Sequence, residues 1–184
     1  MNLNLDFNYI KNEGGKSVGQ MIKKLTKLKE LHIGVASKNF GYLGFKDIVK
    51  GMNERTDLEV LTFRCGVNRV GVNGATSVSE MLEKMTKLKD LDLGFVENYV
   101  GDEGISSIAK TIKNHLKELK RVRLDLSFND VKGYGGIAVV RDLSERNFDY
   151  LSLSLSHNEF RDADTKLLKP HLKNLIKNNE VFEF

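Results

Sequence analysis

The sequence predicts an α/β solenoid: a horseshoe arc with a parallel β-sheet on its concave side and α-helices on its convex side. Three observations lead there. Gly14, Gly44, Gly74, Gly104 and Gly135, with Asp164 in the sixth place, are separated by 30, 30, 30, 31 and 29 residues. Asn8, Asn39, Asn68, Asn98, Asn129 and Asn158 keep the same beat. Within each unit the apolar spacing switches from two to three and four, from the period of a strand to that of a helix. A unit of about 30 residues cannot bury its own apolar face, so it must stack on its neighbours.

Each element follows in order. Leu3 and Leu5 alternate ahead of Asn8, and Val18, Met21, Ile22, Leu25 and Leu28 then line a helical stripe. Leu31, Ile33 and Val35 form the second strand, where one extra residue before Asn39 predicts a local bulge. Leu61, Phe63 and Cys65 make the third strand, followed by the stripe Val78, Met81, Leu82, Met85 and Leu88. Leu91, Leu93 and Phe95 precede Ile105, Ile108, Ala109, Ile112 and Leu116. Val122, Leu124 and Leu126 precede Ile137, Val140 and Leu143. Leu151, Leu153 and Leu155 make the sixth strand, and Pro170 is expected to kink the helix after it. Val181-Phe182-Glu183-Phe184 follows where a seventh strand would begin. The chain reads as a single domain over 1–184, six repeats with a short tail at 180–184.

The run Leu-x-Leu-x-Leu-x-x-Asn, followed after about six residues by glycine and a helix, resembles the leucine-rich repeat. Its long, helix-containing unit looks like the ribonuclease-inhibitor type, and the resemblance extends from Met1 to about Asn179. The resemblance implies a leucine-rich-repeat solenoid and a family that includes enzyme inhibitors, GTPase activators, actin-capping proteins, immune sensors and ciliary subunits.

Composition narrows the class. Of 184 residues, 40% are hydrophobic and 29% charged, an ordinary balance for a folded chain. No apolar run is long enough to insert into a membrane. One cysteine, Cys65, excludes an intramolecular disulfide and a multi-thiolate metal site. His32, His115, His157 and His171 fall at unrelated repeat positions with no i,i+4 pair, so no metal or cofactor is expected. No nucleophile elbow or acid–base constellation is present, and an enzyme is not expected. The N-terminus lacks the pattern of a secretory leader, giving an intracellular expectation, cytoplasmic by default with cilium, cytoskeleton or another organelle open. Lysine outnumbers arginine 21 to 8 and asparagine reaches 16, a bias that fits an AT-rich genome such as a protist's.

The repeated asparagines are expected to form a structural ladder, each amide satisfying backbone groups where a strand turns inward. The glycines are expected to allow tight turns or close approach before the helices, and Cys65 to be an inert core thiol. Residues between the apolar strand positions line the concave face in columns: Asn2, His32, Thr62, Asp92, Arg123 and Ser152, then Asn4, Gly34, Arg64, Gly94, Asp125 and Ser154. Partner binding is assigned there to Arg64, Asp92, Arg123 and Asp125, with His32 and Tyr150 at the margins. Partial neutralisation of these charges between neighbouring repeats is the competing expectation. End-on assembly is assigned to Leu3 and Leu5 at one end, and to Phe182 and Phe184 at the other. The leading function is a non-enzymatic interaction or scaffold module, a small subunit of a larger protein assembly. One alternative is an enzyme regulator, either an inhibitor or a GTPase activator using Arg69. Another is RNA binding through lysines such as Lys110, Lys113, Lys117 and Lys120, a field interrupted by Glu80, Glu83, Glu103 and Glu118.

Overall fold

The computed structural model describes residues 1–37, 41–176 and 181–183, with side chains described for 1–37 and 41–172. The strands are β1 (Asn2–Asn4), β2 (Glu30–Gly34), β3 (Val60–Arg64), β4 (Asp90–Gly94), β5 (Arg121–Asp125), β6 (Tyr150–Ser154) and β7 (Val181–Glu183). They form one parallel sheet in chain order. The helices between them are α1 (Lys11–Lys24), α2 (Gly41–Met52), α3 (Gly71–Glu83), α4 (Gly101–Asn114), α5 (Gly133–Ser144) and α6 (Asp162–Ile176).

Alternation sets the sheet's two faces. From β2 to β6 the apolar pairs Leu31/Ile33, Leu61/Phe63, Leu91/Leu93, Val122/Leu124 and Leu151/Leu153 are at most 2% exposed. Their lateral register places Asn2, His32, Thr62, Asp92, Arg123 and Ser152 in one continuous column, as the sequence columns predict. The helical stripes close the core from the other side, with Ile22, Val78, Met81, Leu82, Ile105, Ile108, Ile112, Val140 and Leu143 fully buried. Phe45 of α2 joins two strands' worth of aromatic surface, stacked on Phe63 at 5.6 Å and edge-on to Phe95 at 6.2 Å.

The turns between strand and helix are built from neighbouring units. Asn98 donates its amide to the carbonyls of Cys65 and Phe95, and its Oδ1 accepts the Asn68 backbone N–H at 3.0 Å. Asn129 and Asn158 repeat this one unit further on. Asn68, Asn98 and Asn129 are at most 3% exposed. Asn8 differs: it is exposed and, among the described residues, its side chain makes one bond, to the Asp6 carbonyl. Asn39, with the expected bulge beside it, lies outside the described residues. Val70, Val100 and Val131, at or beside the helix starts, give their N–H groups to the Oδ1 atoms of Asn98, Asn129 and Asn158. Helices α3, α4 and α5 therefore need no capping side chain of their own and have none, and α1 lacks one as well.

The glycines depart from expectation in one respect. Helices start at Gly41, Gly71 and Gly101, whose φ values of +67°, +63° and +57° supply the sharp turn. Gly44, Gly74 and Gly104 sit three residues further on, inside the first helical turn, where a Cβ would collide with the preceding unit or turn. The closest backbone contact was not anticipated. Gly15 and Gly19 of α1 face Gly44 and Gly51 of α2, and a Cβ on Gly19 would run into the Asp47 carbonyl. Further along, α6 continues as helix through Pro170. Val181–Glu183 pairs with β6, Phe182 opposite Leu153. Phe184 lies outside the described residues.

Candidate protein-binding site

The concave face gathers the charged residues of β3, β4 and β5 around one carboxylate. Asp92 is only 14% exposed at its side chain and accepts from Arg64 at 2.8 Å and from Arg123 at 3.4 Å. Arg64 reaches it by crossing its register partner Gly94, where a Cβ would lie 3.4 Å from the Arg64 Cγ. Arg123 also donates to the Tyr150 hydroxyl at 3.1 Å and lies over that ring, 5.5 Å from its centre. The hydrogen bond to Tyr150, helped by Asp92, holds its guanidinium proton more firmly than usual. Arg121 covers the same ring at 5.1 Å and bonds Asp90 at 3.1 Å. Exposed pairs of this kind contribute only about 0–1 kcal/mol each. Their effect is to fix the arginines in place, so little side-chain entropy remains to be lost on binding.

Of the expected binding residues, Arg64, Asp92, Arg123 and Tyr150 are thus joined in one network. Asp125 shares a groove of about 350 Å³ with the first three, but its Oδ1 accepts from the Ser127 hydroxyl and backbone N–H. His32 stands at the network's margin, its Nδ1 2.9 Å from the Thr62 hydroxyl. Neutralisation between repeats is therefore present and partial: three arginines share two aspartates, and the Arg64 and Arg123 side chains remain 58% and 48% exposed. Arg121 and Asp90 fall outside the columns assigned from the sequence because they lie two residues ahead of Arg123 and Asp92, in register with each other. Asp6 was also passed over as a working group. Its carboxylate lies above Gly34 and accepts the Ala36 N–H at 2.7 Å.

Elsewhere, Cys65 is fully buried, and burial, with the charge of Asp6, raises its thiol well above the ordinary value. Arg69 is exposed on a strand-to-helix loop. The convex lysines are partly occupied: Lys23 pairs with Glu54, Lys29 with Glu59, and Lys113 with Asp142 and Glu145. Among the described residues no cluster of histidine, cysteine and carboxylate is placed to hold a metal ion, and no helix is long and apolar enough to cross a membrane.

The asparagine-closed strand turns, the in-order parallel sheet and the convex helices together define a leucine-rich-repeat solenoid. No family model matches the sequence. A curated relative, the NACHT, LRR and PYD domains-containing protein 12 of Mus musculus, is 23% identical over 158 residues. That alignment spans 86% of this chain but 14% of the mouse protein. Among solved structures, the tropomodulin C-terminal domain of Caenorhabditis elegans superposes with a TM-score of 0.62 at 13% identity, covering 87% of this chain and 92% of that one. Leiomodin-1 actin-binding site 2 superposes with a TM-score of 0.57 at 14% identity, covering 88% and 89%. At these identities the likeness is one of fold.

Proposed function

We propose that this chain is a non-enzymatic protein-binding module that seats its partner on the concave face, within a larger intracellular assembly. The observation that carries the reading is the Arg64–Asp92–Arg123–Tyr150 network. Its cations are held in place, yet half their surface remains open to a partner. Arginine and tyrosine are also the side chains over-represented where binding energy concentrates. A strand spacing of about 4.8 Å makes the concave arc wide enough for a helix or small lobe. The likeness to a leiomodin-1 domain described as an actin-binding site supports actin as the first partner to assay.

The reading extends to the β1 edge. Leu3 and Leu5 are half-buried, whereas the core residues Leu31 and Ile33 beside them are at most 2% exposed. A further layer, from this chain's own extension or from another subunit, would complete their burial.

The double variant Arg64→Ala/Arg123→Ala tests the concave site. Co-sedimentation with filamentous actin, and crosslinked capture from the native source, should show partner binding weakened at least about tenfold. Unfolding free energy should shift by no more than about 2 kcal/mol, the upper sum for the two pairs lost from Asp92. Unchanged affinity would remove the concave face as the interface.

A further inference from the structure

Among the described residues, the exposed large aromatic side chains are Phe7, Tyr9, Tyr99, Phe128 and Tyr134. All lie on the rim formed by the strand-to-helix loops and first helical turns. Three of them fall into the repeat grid of units four to six. The residue before each asparagine gives the column Glu97, Phe128, His157. The residue after it gives Tyr99, Asp130, Glu159, and the fifth after it gives Glu103, Tyr134, Ala163. Each column therefore sets a carboxylate and an aromatic ring at matching positions of units four and five. Side chains do meet along a column: the Phe128 and His157 rings stack at 4.1 Å.

Two further observations bear on these rings. Tyr99 and Phe128 have φ values of 58° and 57°, a left-handed region that disfavours residues with large side chains and that glycine and asparagine tolerate. The two residues are 46% and 47% exposed, so burial only partly offsets that strain. The carboxylates beside them are also uncommitted. The side-chain carboxylates of Glu97, Glu103 and Asp130 accept no hydrogen bond and form no ion pair among the described residues. By contrast, Asp102 accepts the Lys132 N–H, and Asp164 holds the Arg161 guanidinium. Lys132 is thus the cation of these three loops without a carboxylate partner. The hydrogen bond to Asp102, reinforced by that group's negative charge, makes the Tyr134 hydroxyl hold its proton more firmly than usual.

The protein already shows what such a frame holds. On the concave face, Arg121 lies over the Tyr150 ring and bonds Asp90, so a cation is shared between a ring and a carboxylate from two other units. We infer that the rim over units four and five binds an arginine- or lysine-bearing segment of a partner protein. Tyr99, Phe128 and Tyr134 receive the cationic side chains on their faces, and Glu97, Asp130 and Glu103 neutralise them. This surface is separate from the concave network, so either assignment can fail alone.

The test titrates the full chain, ¹⁵N-labelled, with the peptide (Arg-Ser)6 and with (Gln-Ser)6, at about 50 and 200 mM salt. The arginine peptide should bind, weaken with salt, and shift amides of residues 97–103 and 128–134. Tyr99→Asn/Phe128→Asn should lower affinity about tenfold without lowering the thermal midpoint, because asparagine tolerates the backbone conformation. Glu97→Gln/Asp130→Asn should flatten the salt dependence, and Arg64→Ala/Arg123→Ala should leave affinity unchanged. The inference is overturned by equal binding of (Gln-Ser)6, by shifts centred on the concave face, or by full affinity after loss of both rings.

Discussion

Asn129→Ala should cost about 3–5 kcal/mol of unfolding free energy, a large loss for a single polar residue. Its amide donates to the Phe95 and Ser127 carbonyls, both at 2.9 Å, and its Oδ1 accepts the Asn98 N–H at 3.1 Å. Alanine would leave these backbone groups unpaired in a fully buried place that water does not reach. Asn129→Asp should be no better. A carboxylate has no donor for the two carbonyls and would bring a charge into the interior. Asn8→Ala is the control, because Asn8 is exposed and, among the described residues, its side chain bonds only the Asp6 carbonyl; it should shift stability by less than about 0.5 kcal/mol. Urea unfolding of the three variants measures this directly. Equal losses at positions 8 and 129 would refute the ladder's energetic role.

The second large effect is expected at Gly19. Valine there would drive α1 away from α2, because the Asp47 carbonyl occupies the space a Cβ needs and a backbone carbonyl cannot rotate aside. A loss of about 3 kcal/mol is expected, toward the upper end for overpacking because the obstacle is main chain. The loss should also be local. In a stacked array each unit is held by its neighbours, so an end unit can detach while the rest stays folded. Hydrogen exchange should show early loss of protection at the amides of Leu5, Phe7 and His32, which bond across β1 and β2. Amides such as Cys65 and Phe95, bonded across later units, should hold. Uniform loss along the chain would contradict nearest-neighbour stacking.

These two residues also mark how far the sequence could be read. Strands and helices were legible because the apolar period changes within every unit, and Leu61/Phe63 or Leu91/Leu93 can bury only one way. The asparagines were legible as a ladder because a polar side chain repeated at a strand end must satisfy nearby backbone. Helix starts were less legible. The left-handed positions around each asparagine are occupied by Val67, Glu97, Phe128 and His157, residues that carry no turn signature. Gly19 and Gly51 stood outside the glycine beat, and only the helix pairing shows why they are small. At the concave site, the columns identified neighbours but not allegiances. That Arg64 and Arg123 converge on Asp92 depends on side-chain reach across Gly94 and Tyr150, which linear spacing does not encode.

The ladder has a direction, and the direction sets an order of assembly. Asn98, Asn129 and Asn158 each reach back, donating to a carbonyl of the preceding unit and accepting that unit's asparagine N–H. Among the described residues, the turns at Asn68, Asn98 and Asn129 are therefore completed only once the unit after each exists. On a ribosome adding about 5–20 residues per second, each newly made turn would wait roughly 2–6 s for its closing amide. The nascent chain would carry one unfinished turn at its growing end, and each new unit would seal the one before it.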